Sequence, residues 1–381
     1  MRVMVSCGES SGDLYAGALT RELVARESGI EVAGLGGDRL RAAGARLVGD
    51  FHDISVTGLT EALRVLPRAY TMLRRLAKEA RAHPPDVFVA IDFPDFNFRL
   101  MAALRKQGIP VVYYVSPQLW AWRAGRMRAM KALVDRVLVI FPFEEALYRR
   151  ACVNVQFVGH PLVDLVRTLE PREPFLRAHG LDPSAPTFAL LPGSRPNELR
   201  RIVPVLAAAV PLIRQRVPRA QFVVARAPHL DDELFAPFGV GQRGLPVLVR
   251  DRTDDVLASA DVVVTASGTA TVQATLHERP MVVVYRLSRL TYLLARPFAR
   301  VDMYAMPNLV AGRRIVPELI QGNFTPERVA HEAVRYLAEP DHYAATRAEL
   351  QGVRARLGEP GASGRAADAI LDVARRARTT R

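Results

Sequence analysis

Short, almost wholly apolar runs alternate along the chain with longer stretches in which apolar residues recur every three or four positions. Val3-Met4-Val5 precedes a helical pattern over Leu14 to Ala25. Asp86-Val87-Phe88-Val89-Ala90-Ile91 precedes another over Phe98 to Arg105, and Val111-Val112-Tyr113-Tyr114-Val115 and Val137-Leu138-Val139-Ile140 keep the rhythm. Runs without polar alternation predict strands covered on both faces, and strand–helix alternation predicts a parallel sheet wrapped by helices. The rhythm pauses over residues 160–186, where prolines cluster in Gly159-His160-Pro161, Glu170-Pro171-Arg172-Glu173-Pro174 and Asp182-Pro183-Ser184-Ala185-Pro186. It restarts with Phe188-Ala189-Leu190-Leu191, Phe222-Val223-Val224-Ala225, Val247-Leu248-Val249, Val262-Val263-Val264-Thr265 and Met281-Val282-Val283-Val284-Tyr285. The pattern predicts an α/β chain of two doubly wound, Rossmann-like domains, residues 1–165 and 186–340, with a ligand cleft between them. The tail after about residue 326 is helical and polar, with a break at Gly358-Glu359-Pro360-Gly361. Its helices from about 341 to 381 are expected to pack back on the first domain.

Composition narrows the function classes. A chain of 381 residues suits two domains, and 49% hydrophobic with 24% charged residues is the mix of a folded globular protein. Lys and Arg number 52 against 39 Asp and Glu, a net charge of +13 that favours anionic partners: nucleic acid, nucleotide phosphates or an acidic membrane surface. The charge is spread along the chain and no nucleic-acid module is legible, which argues against the first. Two cysteines, Cys7 and Cys152, exclude a disulfide framework and a four-cysteine zinc site, and no other metal cluster is credible. The amino terminus enters a strand at once, without a secretory signal, and no apolar run reaches the ~18 residues of a membrane span. A cytoplasmic protein with peripheral membrane contact is expected. Residues Thr57 to Arg81 interleave Leu63, Leu66, Tyr70, Leu73 and Leu76 with Arg64, Arg68, Arg74, Arg75 and Lys78. That basic amphipathic helix suits either packing on a sheet or lying on anionic lipid.

Six segments carry chemistry. Gly8-Glu9-Ser10-Ser11-Gly12-Asp13 follows the first strand, where small residues admit a ligand to backbone N–H groups; a helix cap by Ser11 or Asp13 produces the same letters. It is neither the G-x-G-x-x-G fingerprint nor a Walker loop, which argues against a dinucleotide-binding regulator or oxidoreductase. Ile91-Asp92-Phe93-Pro94-Asp95-Phe96-Asn97 sets two carboxylates at a strand tip among aromatics, and Asp92, nearer the tip, is the better proton acceptor. Asp95, after a proline, also suits a helix cap. Ser116-Pro117-Gln118-Leu119-Trp120-Ala121-Trp122 holds both tryptophans of the chain, a ring-rich loop that packs or binds. Leu191-Pro192-Gly193-Ser194-Arg195 combines a Gly-Ser turn with a forked cation suited to pyrophosphate. Thr265-Ala266-Ser267-Gly268-Thr269-Ala270-Thr271-Val272-Gln273 places hydroxyls and a glycine at a helix start, the strongest anion signal in the chain. Met306-Pro307-Asn308-Leu309-Val310 and Pro317-Glu318-Leu319-Ile320-Gln321 offer Asn308, Glu318 and Gln321 to sugar or base groups.

These segments, in this order over nearly the whole chain, resemble lipid-A-disaccharide synthases. The resemblance implies a GT-B glycosyltransferase fold and a bacterial enzyme on the inner-membrane surface, with no metal or other cofactor. The implied donor is UDP-2,3-diacylglucosamine and the acceptor 2,3-diacylglucosamine 1-phosphate, lipid X. The implied product is the β(1→6)-linked disaccharide 1-phosphate, formed with inversion and release of UDP. It further implies Asp92 as the base for the acceptor's 6-hydroxyl, with Arg195 and the N–H groups near Ser267, Gly268 and Thr269 on the leaving diphosphate. Glu9 and Ser11 would line the acceptor side. Asn308 and Gln273 would hold sugar or ribose hydroxyls. Asp13, Asp95, Asn97, Gln118, Trp120, Ser194, Ala270 and Thr271 complete the expected binding set. Gln273 stands where the family usually carries Glu. The tail 326–381 could exchange between subunits of a homo-oligomer or close its own cleft. A UDP-sugar 2-epimerase or another UDP-sugar glycosyltransferase is the alternative on the same fold.

Overall fold

The computed structural model describes residues 1–54, 59–117, 126–239, 244–287 and 302–379, with the backbone alone over 59–65. The chain divides into two compact units, the first formed by Met1–Asp164 with Leu357–Arg381 and the second by the chain from Leu165 to Arg356.

In the first unit β1 (Arg2–Ser6), α1 (Ser10–Arg26), β2 (Glu31–Gly36), α2 (Asp38–Ala42), β3 (Arg46–Asp50) and α3 (Leu59–Ala82) are followed by β4 (Val87–Ile91), α4 (Pro94–Arg105), β5 (Val111–Tyr114), α5 (Arg126–Leu133), β6 (Arg136–Val139), α6 (Pro142–Arg150) and β7 (Val155–Phe157). Its strands form one sheet in the order β3-β2-β1-β4-β5-β6-β7, every pairing parallel. β4 is fully buried along its length, as its unbroken apolar sequence dictates. β2, β3 and β7 are absent from the strand pattern read in the sequence, because β2 carries Gly34 and Gly36 and the other two mix polar with apolar residues.

The second unit holds α7 (Arg172–Ala178), β8 (Thr187–Leu191), α8 (Pro196–Arg216), β9 (Gln221–Arg226), β10 (Val247–Arg250), α9 (Thr253–Ser259), β11 (Val262–Ala266), α10 (Thr269–Leu276), β12 (Met281–Tyr285), α11 (Met306–Ala311), β13 (Glu318–Ile320), α12 (Pro326–Ala338) and α13 (Pro340–Arg356). Its sheet is also parallel, in the order β10-β9-β8-β11-β12-β13. In each sheet the order reverses at the first strand of the unit, β1 or β8. Loops leaving β1 and β4, and those leaving β8 and β11, therefore flank the two switch points where such sheets bind ligands.

The polar tail splits between the units. α13 belongs to the second, packing on α10, α11 and α12 with Leu350 and Val353 buried, instead of returning to the first as the sequence pattern predicts from residue 341. Only the last helix, α14 (Ala362–Thr379), returns, laying Ala366, Ala367, Ile370, Leu371 and Ala374 on α1 and β4. Asp164 fixes its start by accepting hydrogen bonds from the Gly361 and Ala362 N–H groups at 2.8 and 3.1 Å. A carboxylate there satisfies orphan donors and meets the positive end of the helix dipole.

α3 takes the packing reading of its sequence. It packs on β3 and α4 through Met72, Leu76 and Ala80, while Leu66, Arg68, Tyr70, Arg74, Arg75 and Lys78 stay exposed.

Candidate active site

In the first unit the chain leaves β4 through two consecutive left-handed residues, Asp92 (φ 45°) and Phe93 (φ 48°), before α4 begins at Pro94. Each such non-glycine residue costs about 1–2 kcal/mol, so the elbow persists only because its surroundings hold it. The Asp92 carbonyl accepts from the Tyr113 hydroxyl at 2.6 Å and from Asn97 Nδ2 at 2.8 Å. Burial and the neighbouring Asp92 carboxylate push the Tyr113 hydroxyl well above its ordinary pKa range, so it remains a donor. The elbow leaves the Asp92 side chain half-buried at the switch point of the first sheet.

Asn97 is 0% exposed, and its Oδ1 accepts from Ser6 Oγ at 2.7 Å. It clamps the tips of β1 and β4 and holds the Asp92 backbone, which corrects its expected contact with substrate. Asp95 stands outside that clamp. Its side chain is 76% exposed in the first turn of α4, paired with Arg126. Asp13 is a second correction. It is buried, with its carboxylate accepting from the N–H groups of Gly37, Arg39 and Leu40, so it anchors the start of α2 rather than meeting a ligand. Glu9 is the N-cap residue of α1 and Ser11 sits in its first turn, both half-buried at the carboxyl end of β1. Gln118 and Trp120 lie outside the described residues. His160, at the start of the expected linker, is a core residue. Its ring lies against Tyr15 and Phe141, its Nδ1 accepts from the Leu162 N–H, and burial pushes its pKa down to about 3.

In the second unit the turn after β8 is shaped by Gly193, whose φ of 123° favours glycine and where a Cβ would lie 2.7 Å from Glu198 Oε2. Glu198 thereby folds back and accepts from Arg195 Nη1 at 3.2 Å. Arg195 is the extended N-cap residue of α8, its side chain 39% exposed, so the guanidinium is steered yet reachable. Ser194 is exposed, and its carbonyl accepts from His229 Nε2 at 2.9 Å.

The turn after β11 has Gly268 as the N-cap of α10, at φ 150° with open space where a Cβ would stand. The Ser267 hydroxyl donates to the Tyr304 carbonyl at 2.9 Å, and Thr269 and Ala270 occupy the half-buried first turn. First-turn N–H groups of a helix lack intrahelical partners and favour an anion. Thr271 departs from the expected binding set. It is buried, and its hydroxyl donates to the Gly268 carbonyl at 2.7 Å, which braces the turn instead of facing a ligand. Gln273 is half-buried one turn further on, with Nε2 3.1 Å from Asp254 Oδ1.

Asn308 is corrected in full. It is 0% exposed, its Oδ1 accepts from the Ile315 and Val316 N–H groups, and its Nδ2 donates to the Val316 carbonyl and Glu318. Glu318 accepts in addition from the N–H groups of Tyr304 and Ala305, at the start of α11. The pair fastens α11 to β13, with no capacity on Asn308 for a sugar. Ser6, Tyr113 and Asp254 make contacts at these turns that sequence reading passed over, since each partner is distant in the chain. Among the described residues no group of three or more His, Cys, Asp or Glu is placed to hold a metal ion.

A family model described as lipid-A-disaccharide synthetase matches residues 3–372. The lipid-A-disaccharide synthase of Myxococcus xanthus is 45% identical over 376 residues, 98% of this chain and 97% of that protein. The lipid-A-disaccharide synthase of Syntrophus aciditrophicus is 44% identical over 370 residues, 96% of each chain. Among solved structures, the UDP-GlcNAc 2-epimerase of Neisseria meningitidis bound to UDP-GlcNAc has a TM-score of 0.70 at 14% identity, covering 98% of this chain and 100% of that one. The kitacinnamycin glycotransferase has a TM-score of 0.60 at 24% identity and covers 98% of each chain. At such identities these two share the fold alone, the GT-B class of paired α/β units.

Proposed function

The chain belongs to the lipid-A-disaccharide synthetase family, and on that premise we propose how its residues divide the work of a UDP-sugar-dependent glycosyltransferase. The reaction joins UDP-2,3-diacylglucosamine to 2,3-diacylglucosamine 1-phosphate, giving the β(1→6) disaccharide 1-phosphate and UDP. Epimerase activity is not favoured: the epimerase likeness is one of fold, while the synthases share over two-fifths of their residues with this chain.

Asp92 takes the proton of the acceptor's 6-hydroxyl as that oxygen bonds to the donor's anomeric carbon. The bond from that carbon to the diphosphate breaks, and its electron pair leaves on UDP. A single in-line displacement inverts the centre. The observation that carries the assignment is the double left-handed elbow, a strained geometry maintained by Asn97 and Tyr113 at the switch point of the first sheet. Arg195 and the N–H groups at the start of α10 receive the charge that develops on the diphosphate, an interaction stronger in the transition state than in the ground state. Glu9 and Ser11 line the acceptor side, and Gln273 accepts from a donor hydroxyl. The exposed basic face of α3 rests on anionic lipid at the inner-membrane surface, with the protein otherwise in the cytoplasm. Among the described residues no helix is long and apolar enough to cross a membrane.

The deciding experiment incubates the protein with both lipid substrates and resolves the lipid fraction by mass. A tetra-acylated disaccharide monophosphate is expected, and a UDP-sugar isomer without disaccharide would reassign the chain to epimerase chemistry.

A further inference from the structure

The amide of Gln273 has a fixed direction. Its Nε2 stands 3.1 Å from Asp254 Oδ1, and the same oxygen lies 3.2 Å from His277 Nε2. An ionised carboxylate only accepts, so the nitrogen of Gln273 must face Asp254 and its carbonyl oxygen must face away. That Oε1 accepts nothing from the described residues. Asp254 is itself located by α9, as the second residue of that helix, and its Oδ2 accepts from the Arg167 N–H at 3.3 Å. Gln273 and His277 are four residues apart, hence on one face of the α10 segment and within reach of the one carboxylate.

We propose that Asp254 is a positioning residue for nucleotide recognition: it holds Gln273 so that a lone carbonyl oxygen is offered to the ribose hydroxyls of the donor. The proposal rests on the reading of the α10 start as the diphosphate site. From Gly268 to Gln273 the helix advances about 7 Å, the scale that separates a nucleotide's diphosphate from its sugar ring. The arrangement also accounts for glutamine at this position. A carboxylate in place of the Gln273 amide would stand against Asp254, and two carboxylates in contact cannot both ionise cheaply. In this chain the negative charge resides on α9, and α10 supplies a neutral acceptor polarised through its amide by that charge.

The test compares UDP with 2′,3′-dideoxy-UDP by calorimetry on the full chain. The natural protein should prefer UDP by about tenfold, the worth of one good hydrogen bond. Gln273→Ala should erase the preference, Asp254→Ala should shrink it to about twofold, and Asp254→Asn, which still accepts through its amide oxygen, should restore most of it. Gln273→Glu alone should weaken UDP binding about tenfold, and Gln273→Glu with Asp254→Asn should recover it, because donor and acceptor are exchanged across the same contact. Full preference in Asp254→Ala with none in Gln273→Ala would overturn the positioning role and leave the ribose contact standing. Preference retained in Gln273→Ala would instead overturn the ribose reading. If Asp254→Ala fails to fold, the exchange pair decides alone: Gln273→Glu binding UDP as tightly as the double variant would refute the coupling.

Discussion

Asp92 is placed by backbone geometry before any chemistry. Its left-handed backbone is tolerated because Asn97 and Tyr113 hydrogen-bond the carbonyl behind it. Asp92→Asn keeps the size and removes the basicity, so turnover should fall by about 10²–10⁴-fold with UDP affinity changed by less than about twofold. Steady-state rates and UDP calorimetry on the same preparation check both halves. Asn97→Ala strips the clamp, leaving Ser6 and the Asp92 carbonyl without their partner; stability of the first unit should drop by about 2–3 kcal/mol in urea titrations. Asp92 was legible in the sequence as a strand-tip carboxylate. The roles of Asn97, Asp13 and Asn308 were not, since a side chain that braces a turn and one that meets a sugar use the same letters. Their partners outside the motif, Ser6, Gly37 and Val316, decide the matter.

At the scale of elements, the strand-to-helix turns are the proposed binding sites. The turns after β8 and β11 each join an apolar strand to a helix through glycine, and both junctions were legible because a glycine beside a serine ends an apolar run at each. Arg195→Ala should weaken UDP about 10–100-fold, since hydrogen bonds to charged groups contribute roughly 1.5–3 kcal/mol. Equal UDP affinity in that variant would remove Arg195 from the diphosphate. Strands β2 and β13 escaped the sequence pattern for an elemental reason: a three-residue strand such as Glu318–Ile320 carries too few positions to show a period, and glycines dilute the apolar signal of Glu31–Gly36.

At the scale of the molecule, two properties follow from what is buried and what is not. His160 is buried in its neutral form with its pKa pushed down to about 3, below the ordinary value near 6.5 of an unfolded chain. The unfolded state thus binds the proton first as pH falls. The stability contributed is whole above pH 6.5 and is lost between about 6.5 and 3, at up to about 1.4 kcal/mol per pH unit. His160→Asn should flatten that acid slope in melts from pH 7 to 4. On the surface, α3 leaves Leu66 and Tyr70 about half exposed beside Arg68, Arg74 and Arg75. Replacing the three arginines by Glu should abolish flotation with phosphatidylglycerol vesicles, each cation being worth about 1 kcal/mol at such a surface. Unchanged flotation would place the lipid contact elsewhere.

The hold of Asp164 on Gly361 and Ala362 also sets an order of events during synthesis. The first half of the chain emerges with the side of α1 that receives α14 still bare, and every residue of the second sheet must be translated before that cover arrives. At about 5–20 residues per second the wait is on the order of 10–40 s. For that interval a nascent chain exposes apolar surface open to non-native contacts, and a premature stop just beyond Arg356 would make the exposure permanent.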